Sequence, residues 1–157
     1  MDRTSKVEIT NMIMVKNQQT GEILVEERVK YWCGITFPGG HVDEGESYYD
    51  AAVREIGEET GLTVRNLKLC GLVDWASAKN RYRYIVQLYR TEDFDPAPLK
   101  ASDEGRVFWV HPDELDEKRF PPHFAEYYRQ FFADEYKELY YDMDKIEDHD
   151  TMLPEIK

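Results

Sequence analysis

The chain has 157 residues, of which 41% are hydrophobic, and this length and composition predict one domain with a sizeable core. The formal net charge of −12 argues against a nucleic-acid-binding surface, because phosphate backbones are bound by clustered Lys and Arg side chains. No stretch is long and apolar enough to span a bilayer, and no apolar signal segment follows the N-terminal residues. We therefore expect a cytoplasmic protein that binds neither nucleic acid nor membranes.

The first part of the chain predicts two strands. Residues 7–15 alternate between polar and apolar and then become wholly apolar, which is typical of a strand that enters the core. Turn-forming residues at 17–21 separate it from a second strand at 23–28, so a β-hairpin is expected. Asn11 lies inside the first strand, where its amide is either a satisfied core group or a group that hydrogen-bonds a bound base.

A glycine turn and a capped helix follow. Gly39 and Gly40 allow the backbone to approach other atoms closely. Ser47 predicts the helix N-cap, with Asp50 three residues later, and Gly61 predicts the left-handed residue that ends the helix. At helical spacing, the apolar side chains, with Tyr49 and Thr60, share one face and the glutamates another.

Three glutamates, Glu55, Glu58 and Glu59, fall within about one turn of this helix. Like charges at this spacing cost a helix roughly 0.2–0.5 kcal/mol per pair, unless a cation is nearby. Oxygen ligands without paired His or Cys favour Mg²⁺ or Mn²⁺. The alternative is that these acids form an ordinary solvated surface.

The second half of the chain predicts strands at 67–75, 82–89 and 107–110, with a loop at 91–105. A helical turn is expected at 111–115 and a longer helix from 122 to about 140. The aromatic face of that helix is expected to pack in the core or to form a homodimer interface, and residues 142–157 are expected to form a polar, frayed tail. Cys33 and Cys70 match no metal spacing and are expected to be core residues.

The segment from residue 40 to residue 62 matches the Nudix box, G-x5-E-x7-R-E-U-x-E-E-x-G-U with U apolar, at every specified position. The matching residues are Gly40, Glu46, Arg54, Glu55, Ile56, Glu58, Glu59, Gly61 and Leu62. The chain thus resembles the Nudix hydrolases. This resemblance implies an α/β fold, an α/β/α sandwich with a mixed sheet, in a single Nudix domain over residues 1–141 followed by the tail.

The resemblance also implies a metal-dependent diphosphate hydrolase that uses Mg²⁺, or else Mn²⁺. The implied metal ligands are the carbonyl of Gly39 and the carboxylates of Glu55, Glu58, Glu59 and Glu104. The implied catalytic residues are Glu55, Glu58, Glu59 and Arg54. In the family the residues at Arg54 and Glu46 tend to hold the helix and the loop together, and which carboxylate serves as general base varies.

Three shorter segments, I-T-F-P-G-G-H-V, R-Y-I-V-Q-L-Y and S-D-E-G-R-V-F-W-V, are similar to small MutT-like oxidised-purine nucleoside triphosphatases, or 8-oxo-dGTP diphosphatases. This similarity implies cleavage of a nucleoside triphosphate to monophosphate and pyrophosphate. ADP-ribose, a dinucleoside polyphosphate and a non-catalytic nucleotide-sensing module are the alternatives.

Substrate binding is expected at Asn11, Gly40 and Phe120, with Trp75 as a second residue that could stack on the base. The mammalian-type enzymes carry a tryptophan followed shortly by two aspartates, where this chain has Phe120, Pro121, Pro122 and His123. Those two carboxylates are therefore absent from the predicted purine site. The expected partner is a small-molecule nucleotide.

Overall fold

The structure is a computed structural model that describes residues 3–145, 148–150 and 152–157. The strands in these ranges are β1 (Lys6–Val15), β2 (Ile23–Arg28), β3 (Gly34–Thr36), β4 (Thr63–Arg65), β5 (Lys68–Ser77), β6 (Tyr82–Thr91), β7 (Asp93–Asp95), β8 (Gly105–Val110), β9 (Glu138–Asp142) and β10 (Glu155–Ile156). The helices are α1 (Tyr48–Thr60) and α2 (Phe124–Gln130), with short 3₁₀ turns at Pro112–Glu114 and Glu117–Arg119.

The strands form one mixed sheet and two smaller antiparallel sheets. The mixed sheet has five strands in the order β1-β6-β5-β9-β10, in which β1 is parallel to β6 and β5 is parallel to β9. A three-stranded sheet has the order β3-β2-β8, and β4 pairs with β7. This arrangement agrees with the predicted α/β class and mixed sheet.

Two cores lie on opposite faces of β1, because successive side chains of a strand point to opposite sides. Ile13 and Val15 pack with Ile56 of α1 in one core. Met12 and Met14 belong to the other core, which includes Phe124 of α2. The two helices thus cover the two faces, as in an α/β/α sandwich.

Helix α1 has the predicted ends. The Ser47 hydroxyl accepts a hydrogen bond from the Asp50 backbone N–H at 3.0 Å, and Gly61 has a left-handed φ of 80°. The buried face of the helix differs from the prediction, because Tyr49 is 42% exposed whereas Glu59 is only 6% exposed. One of the predicted metal-binding acids therefore points into the protein.

Two predictions about connections were wrong. Strands β1 and β2 belong to different sheets and share one isolated bridge, between Lys16 and Ile23, so they do not form a hairpin. Helix α2 ends at Gln130 and not near residue 140. Residues 138–142 instead alternate between partly buried and buried positions, and Leu139 and Tyr141 reach the core only because this segment is a strand beside β5.

Predictions about burial near the termini and at the cysteines also need correction. The end of the chain was expected to fray, but Glu155 and Ile156 pair with β9, and Met152 is 7% exposed. Cys70 is buried as expected, whereas Cys33 is exposed. Within the described ranges no helix has the length and apolar character needed to cross a membrane.

Candidate active site

The glycine turn lies wedged between β1 and α1. The Gly39 N–H donates a hydrogen bond to Glu59 Oε2 at 2.9 Å, and the Gly40 N–H donates to Asn11 Oδ1 at 3.1 Å. A Cβ atom at Gly39 would lie 2.2 Å from the Asn11 carbonyl oxygen, and one at Gly40 would lie 2.5 Å from the Glu55 carboxyl carbon. At Gly39 the close atoms belong to the backbone, so only glycine allows this approach, whereas at Gly40 they belong to the flexible end of the Glu55 side chain. The turn thus lies against the acidic residues of the helix.

Arg54 connects the acidic residues of the box to the loop before the helix. Its guanidinium forms two hydrogen bonds with Glu46, both 2.9 Å long, and a third of 3.0 Å with the His41 carbonyl oxygen. It also donates to Glu55 at 2.9 Å and to Glu58 at 3.2 Å. These bonds lower the pKa of Glu46 and raise that of Arg54, so the guanidinium stays charged and orients two predicted ligands.

A cluster of three carboxylates forms where β2, α1 and the loop before β8 meet. Glu26, Glu59 and Glu104 each place a carboxylate oxygen within 4.8 Å of the others. The Glu26 side chain is fully buried, and neither of its oxygens has a hydrogen-bond partner in the described part of the chain. Arg28 lies 2.7 Å from Glu104 and 3.6 Å from Glu26, so one cation borders the cluster.

The electrostatics of the cluster favour an added cation. Burial, followed by the charge of Glu26, raises the pKa of Glu59 to about 8. Burial also raises the pKa of Glu26 and of Glu55, although hydrogen bonding to Arg54 opposes the effect at Glu55. Unpaired buried carboxylates are costly, and oxygen ligands of this kind suit a hard divalent ion. The residues therefore fit the cation that the box implies.

The predicted ligands divide into two groups. Glu59 and Glu104 lie in the carboxylate cluster, together with Glu26, which the sequence analysis did not identify. Glu55 and Glu58 lie beside Arg54, and the Glu58 side chain is 63% exposed. Glu26 could have been identified from one feature of the sequence: it is an acid that directly follows the apolar residues of β2. An unpaired charge in such a buried strand would be costly, so a functional partner is indicated.

A cavity of about 620 Å³ opens beside this cluster. Its polar lining includes Asn11, Arg28, Gly39, Gly40 and Glu104. Its aromatic lining consists of Tyr31, Trp32, Phe37, Trp75, Tyr82, Tyr84 and Tyr127, and the rings of His41 and His123 also contribute. The cavity thus has acidic and basic groups that can bind a metal and phosphates, and flat rings that can pack against a base.

Of two predicted substrate-binding side chains, Asn11 lines the cavity and Phe120 packs against the core. Asn11 lines the cavity, is 3% exposed, and its Nδ2 has no hydrogen-bond partner in the described part of the chain. Phe120 packs edge-on against Phe124 at 4.8 Å and also contacts Tyr128, so it belongs to the core of α2. A base-stacking role for Phe120 is not supported by this packing.

Trp75 forms one wall of the cavity and is held rigidly. Its ring stacks on Tyr141 with centroids 3.9 Å apart, and its indole N–H donates to the Tyr127 hydroxyl at 2.7 Å. The His123 ring meets it edge-on at 4.8 Å. Tyr141 stands opposite Trp75 in the β5–β9 pairing. This support was not predictable from the sequence pattern, which indicated a helix to about residue 140 and no strand at β9.

Comparison with known proteins gives the family. The NUDIX domain family model matches residues 8–131. The MutT protein from Bacillus halodurans has a similar structure, with a TM-score of 0.69 and 21% identity over 87% of this chain and 92% of that one. A MutT NUDIX hydrolase from Burkholderia pseudomallei has a TM-score of 0.64 and 22% identity, over 80% and 98% of the two chains.

Curated relatives show similarity at the sequence level. An 8-oxo-dGTP diphosphatase from Haemophilus influenzae is 31% identical over 108 residues, which are 65% of this chain and 75% of that protein. The NAD-capped RNA hydrolase NudC from Photobacterium profundum is 27% identical over 108 residues, 68% of this chain but only 40% of the relative.

The fold places a cluster of three carboxylates beside an aromatic-lined cavity. The chain belongs to the Nudix hydrolase family, since the family model covers most of its length. The predicted family and fold class are thereby confirmed.

Proposed function

We propose that the protein is a Mg²⁺-dependent nucleotide pyrophosphohydrolase that cleaves nucleoside triphosphates, with 8-oxo-dGTP as its preferred substrate. The observation that carries this proposal is the cluster of Glu26, Glu59 and Glu104, two of them buried, at the edge of an aromatic-lined cavity. Mn²⁺ has the same preference for oxygen ligands and is the alternative cofactor. The products are the nucleoside monophosphate and pyrophosphate.

The chain's own residues have distinct tasks in this reaction. Glu26, Glu59 and Glu104 would hold the cation, and Glu55, Glu58 and the Gly39 carbonyl are the further ligands that the family pattern implies. A bound divalent cation lowers the pKa of a water molecule and neutralises charge that develops on phosphate oxygens.

Two arginines orient the reacting groups. Arg54 fixes the positions of Glu55 and Glu58 through hydrogen bonds of 2.9 and 3.2 Å. Arg28 lines the cavity next to Glu104, where its guanidinium can pair with a substrate phosphate. This local positive charge is needed because the protein as a whole carries −12.

The choice of 8-oxo-dGTP rests on the H. influenzae relative and on Asn11. Oxidation of guanine adds a carbonyl at C8 and a proton at N7, so an enzyme that prefers the oxidised base needs hydrogen-bonding groups beside it. The buried Nδ2 of Asn11 is a donor without a partner in the described chain, and a donor of this kind can pair with a base oxygen.

Other diphosphate-linked substrates define the alternatives. The P. profundum relative is named for NAD-capped RNA, so NAD belongs in any substrate panel together with ADP-ribose and a dinucleoside tetraphosphate. Because that relative is named for an RNA substrate, the expectation that this protein binds no nucleic acid stays a prediction. A non-catalytic nucleotide sensor is the alternative of a different class.

A hydrolysis panel tests the proposal. We expect release of products from 8-oxo-dGTP to require Mg²⁺ or Mn²⁺ and to exceed that from dGTP, ADP-ribose, NAD and diadenosine tetraphosphate in kcat/KM. Glu59→Gln should abolish turnover, whereas Glu44→Gln, at an exposed acid in the preceding loop, should retain it.

Three outcomes would count against the proposal. A tenfold preference for ADP-ribose or NAD would refute the oxidised-purine part and leave the metal-dependent hydrolase intact. The absence of turnover of every substrate with either metal would favour the sensor. Orthophosphate as the first product, before any pyrophosphatase is added, would indicate a phosphatase, and incorporation of labelled water would show which phosphorus is attacked.

A further inference from the structure

Tyr31 occupies an unusual position at the rim of the cavity. It is 88% exposed, although it is one of the residues that line the cavity. No other side chain in the described ranges forms a ring contact with Tyr31, and no hydrogen bond to its hydroxyl is present there. A large aromatic ring without a protein partner is available to contact a ligand.

The backbone around Tyr31 is strained. Tyr31 has φ of 40° and Trp32 has φ of 53°, so two successive bulky residues adopt the left-handed conformation that residues other than glycine rarely take. Strain of this kind persists only where the surrounding structure holds it, and it concentrates at ligand-binding sites.

Trp32 supplies that support. Its indole N–H donates to the Pro122 carbonyl oxygen at 2.8 Å, and its ring packs against Phe124 and Tyr127 at centroid distances of 6.1 and 5.7 Å. Trp32 is thereby fixed to the segment before α2 and to the helix itself. Because its neighbour is fixed in this way, the left-handed turn directs Tyr31 to the exposed rim and not into the core.

We propose that Tyr31 is a substrate-binding residue that stacks on the nucleobase of the bound nucleotide. The inference rests on the proposed function, because it assumes that a nucleotide occupies the cavity. Glu104, one member of the acidic cluster, and Arg28 belong to the polar lining, so the phosphates belong there, and the flat group of the ligand belongs among the rings. An uncharged ring favours the base over the phosphates.

Stacking of this kind does not depend on which base is bound, since every base has a π face. Tyr31 therefore contributes affinity for nucleotides in general, whereas Asn11 contributes the preference for the oxidised base. The loss of one base–aromatic stack weakens binding by roughly tenfold or more.

Tyr31→Gly is the informative substitution, because glycine removes the ring and also relieves the left-handed strain. We expect the variant to bind dGMP, measured by isothermal titration calorimetry on the full chain, at least about tenfold more weakly than the wild type. Its KM for dGTP should rise while kcat changes little, and its melting temperature should stay equal or increase. Tyr31→Phe, which keeps the ring, should bind dGMP like the wild type.

Two controls separate stacking from a general effect. Tyr49→Ala removes an exposed tyrosine on α1 that does not line the cavity, so dGMP affinity should not change. Inorganic pyrophosphate lacks a base, so its inhibition constant should be the same for Tyr31→Gly and the wild type.

The inference is overturned if Tyr31→Gly binds dGMP within twofold of the wild type, or if Tyr31→Phe loses affinity as well. Its failure differs from failure of the proposed function. Hydrolysis by the wild type with an unchanged KM in Tyr31→Gly would refute stacking alone. Binding of dGMP that depends on Tyr31, without hydrolysis of any substrate, would refute catalysis alone.

Discussion

Replacing Glu59 by Gln keeps the shape of this buried side chain and removes one carboxylate from the cluster with Glu26 and Glu104. Burial and the neighbouring Glu26 raise the pKa of Glu59 from 4.5 to about 8 in the metal-free protein. Between about pH 4.5 and about pH 8 the folded chain therefore holds a proton that the unfolded chain has already released. Because the native state binds more protons in this interval, the free energy of unfolding of the metal-free protein falls as the pH rises.

The size of the fall follows from the pKa difference. Each pKa unit corresponds to about 1.4 kcal/mol. A rise from 4.5 to about 8 thus gives a decline on the order of 5 kcal/mol over the whole interval. Glutamine does not titrate, so Glu59→Gln should lose most of this dependence and be the more stable protein, without metal, at pH 8.

Magnesium should reverse the order of stability. A cation binds the ionised carboxylates, and a ligand that binds only the native state stabilises it. Wild type should therefore gain stability from Mg²⁺ at pH 8, and Glu59→Gln should gain much less.

Urea unfolding at pH 5, 7 and 8, with a chelator and with Mg²⁺, measures both effects, and Glu44→Gln serves as the control at an exposed acid. Equal pH dependence in wild type and Glu59→Gln, or equal stabilisation of both by Mg²⁺, would refute the electrostatic reasoning.

Three further predictions concern the glycine turn at Gly39, the guanidinium of Arg54 and the recognition of the base by Asn11. Gly39→Ala should lower the melting temperature and abolish activity, because its Cβ would lie 2.2 Å from the Asn11 carbonyl oxygen. Gly57→Ala should be neutral or stabilising, because its Cβ would make only an ordinary contact, 3.8 Å from the Leu62 carbonyl oxygen. Comparable melting of the two variants would contradict this. Arg54→Ala should lower kcat strongly and destabilise the protein by about 1–3 kcal/mol, because its hydrogen bonds to Glu46 are lost. Steady-state kinetics and urea unfolding measure the two effects. A variant with wild-type kcat would contradict the prediction. Asn11→Ala should reduce the ratio of kcat/KM for 8-oxo-dGTP over dGTP by about tenfold, and an unchanged ratio would remove Asn11 from base recognition.

Local features of the chain were predictable from the sequence. The ends of α1 depend on Ser47, Asp50 and Gly61, which act within a few residues of themselves. The contact between Arg54 and Glu46 also lies within the box and was expected from the family pattern. Such features require no knowledge of how distant strands pair.

Features that depend on distant pairing were missed. Glu26 joins Glu59 only because β2 pairs with β8 and α1 packs nearby, and a single acid in a strand does not indicate this. The end of α2 was placed too late because residues 131–140 have aromatic and charged residues compatible with a helix. The observed strand β9 is stabilised by its parallel partner β5, and tertiary pairing of this kind overrides local preference.

Phe120 shows the same limit at the level of one side chain. It was predicted to stack on the base because it stands where the mammalian-type enzymes carry a tryptophan. The packing of Phe124 and Tyr128 draws its ring into the core instead, and Trp75 and Tyr31 line the cavity.

We propose that Glu26, Glu59 and Glu104 bind the catalytic cation. Anomalous diffraction from crystals of the protein soaked in Mn²⁺ tests it most directly, because the anomalous signal locates the ion independently of any activity. We expect a Mn²⁺ peak bordered by these three carboxylates, and its loss in Glu59→Gln crystals. A peak elsewhere in wild type, or an unchanged peak at the same place in Glu59→Gln, would contradict it.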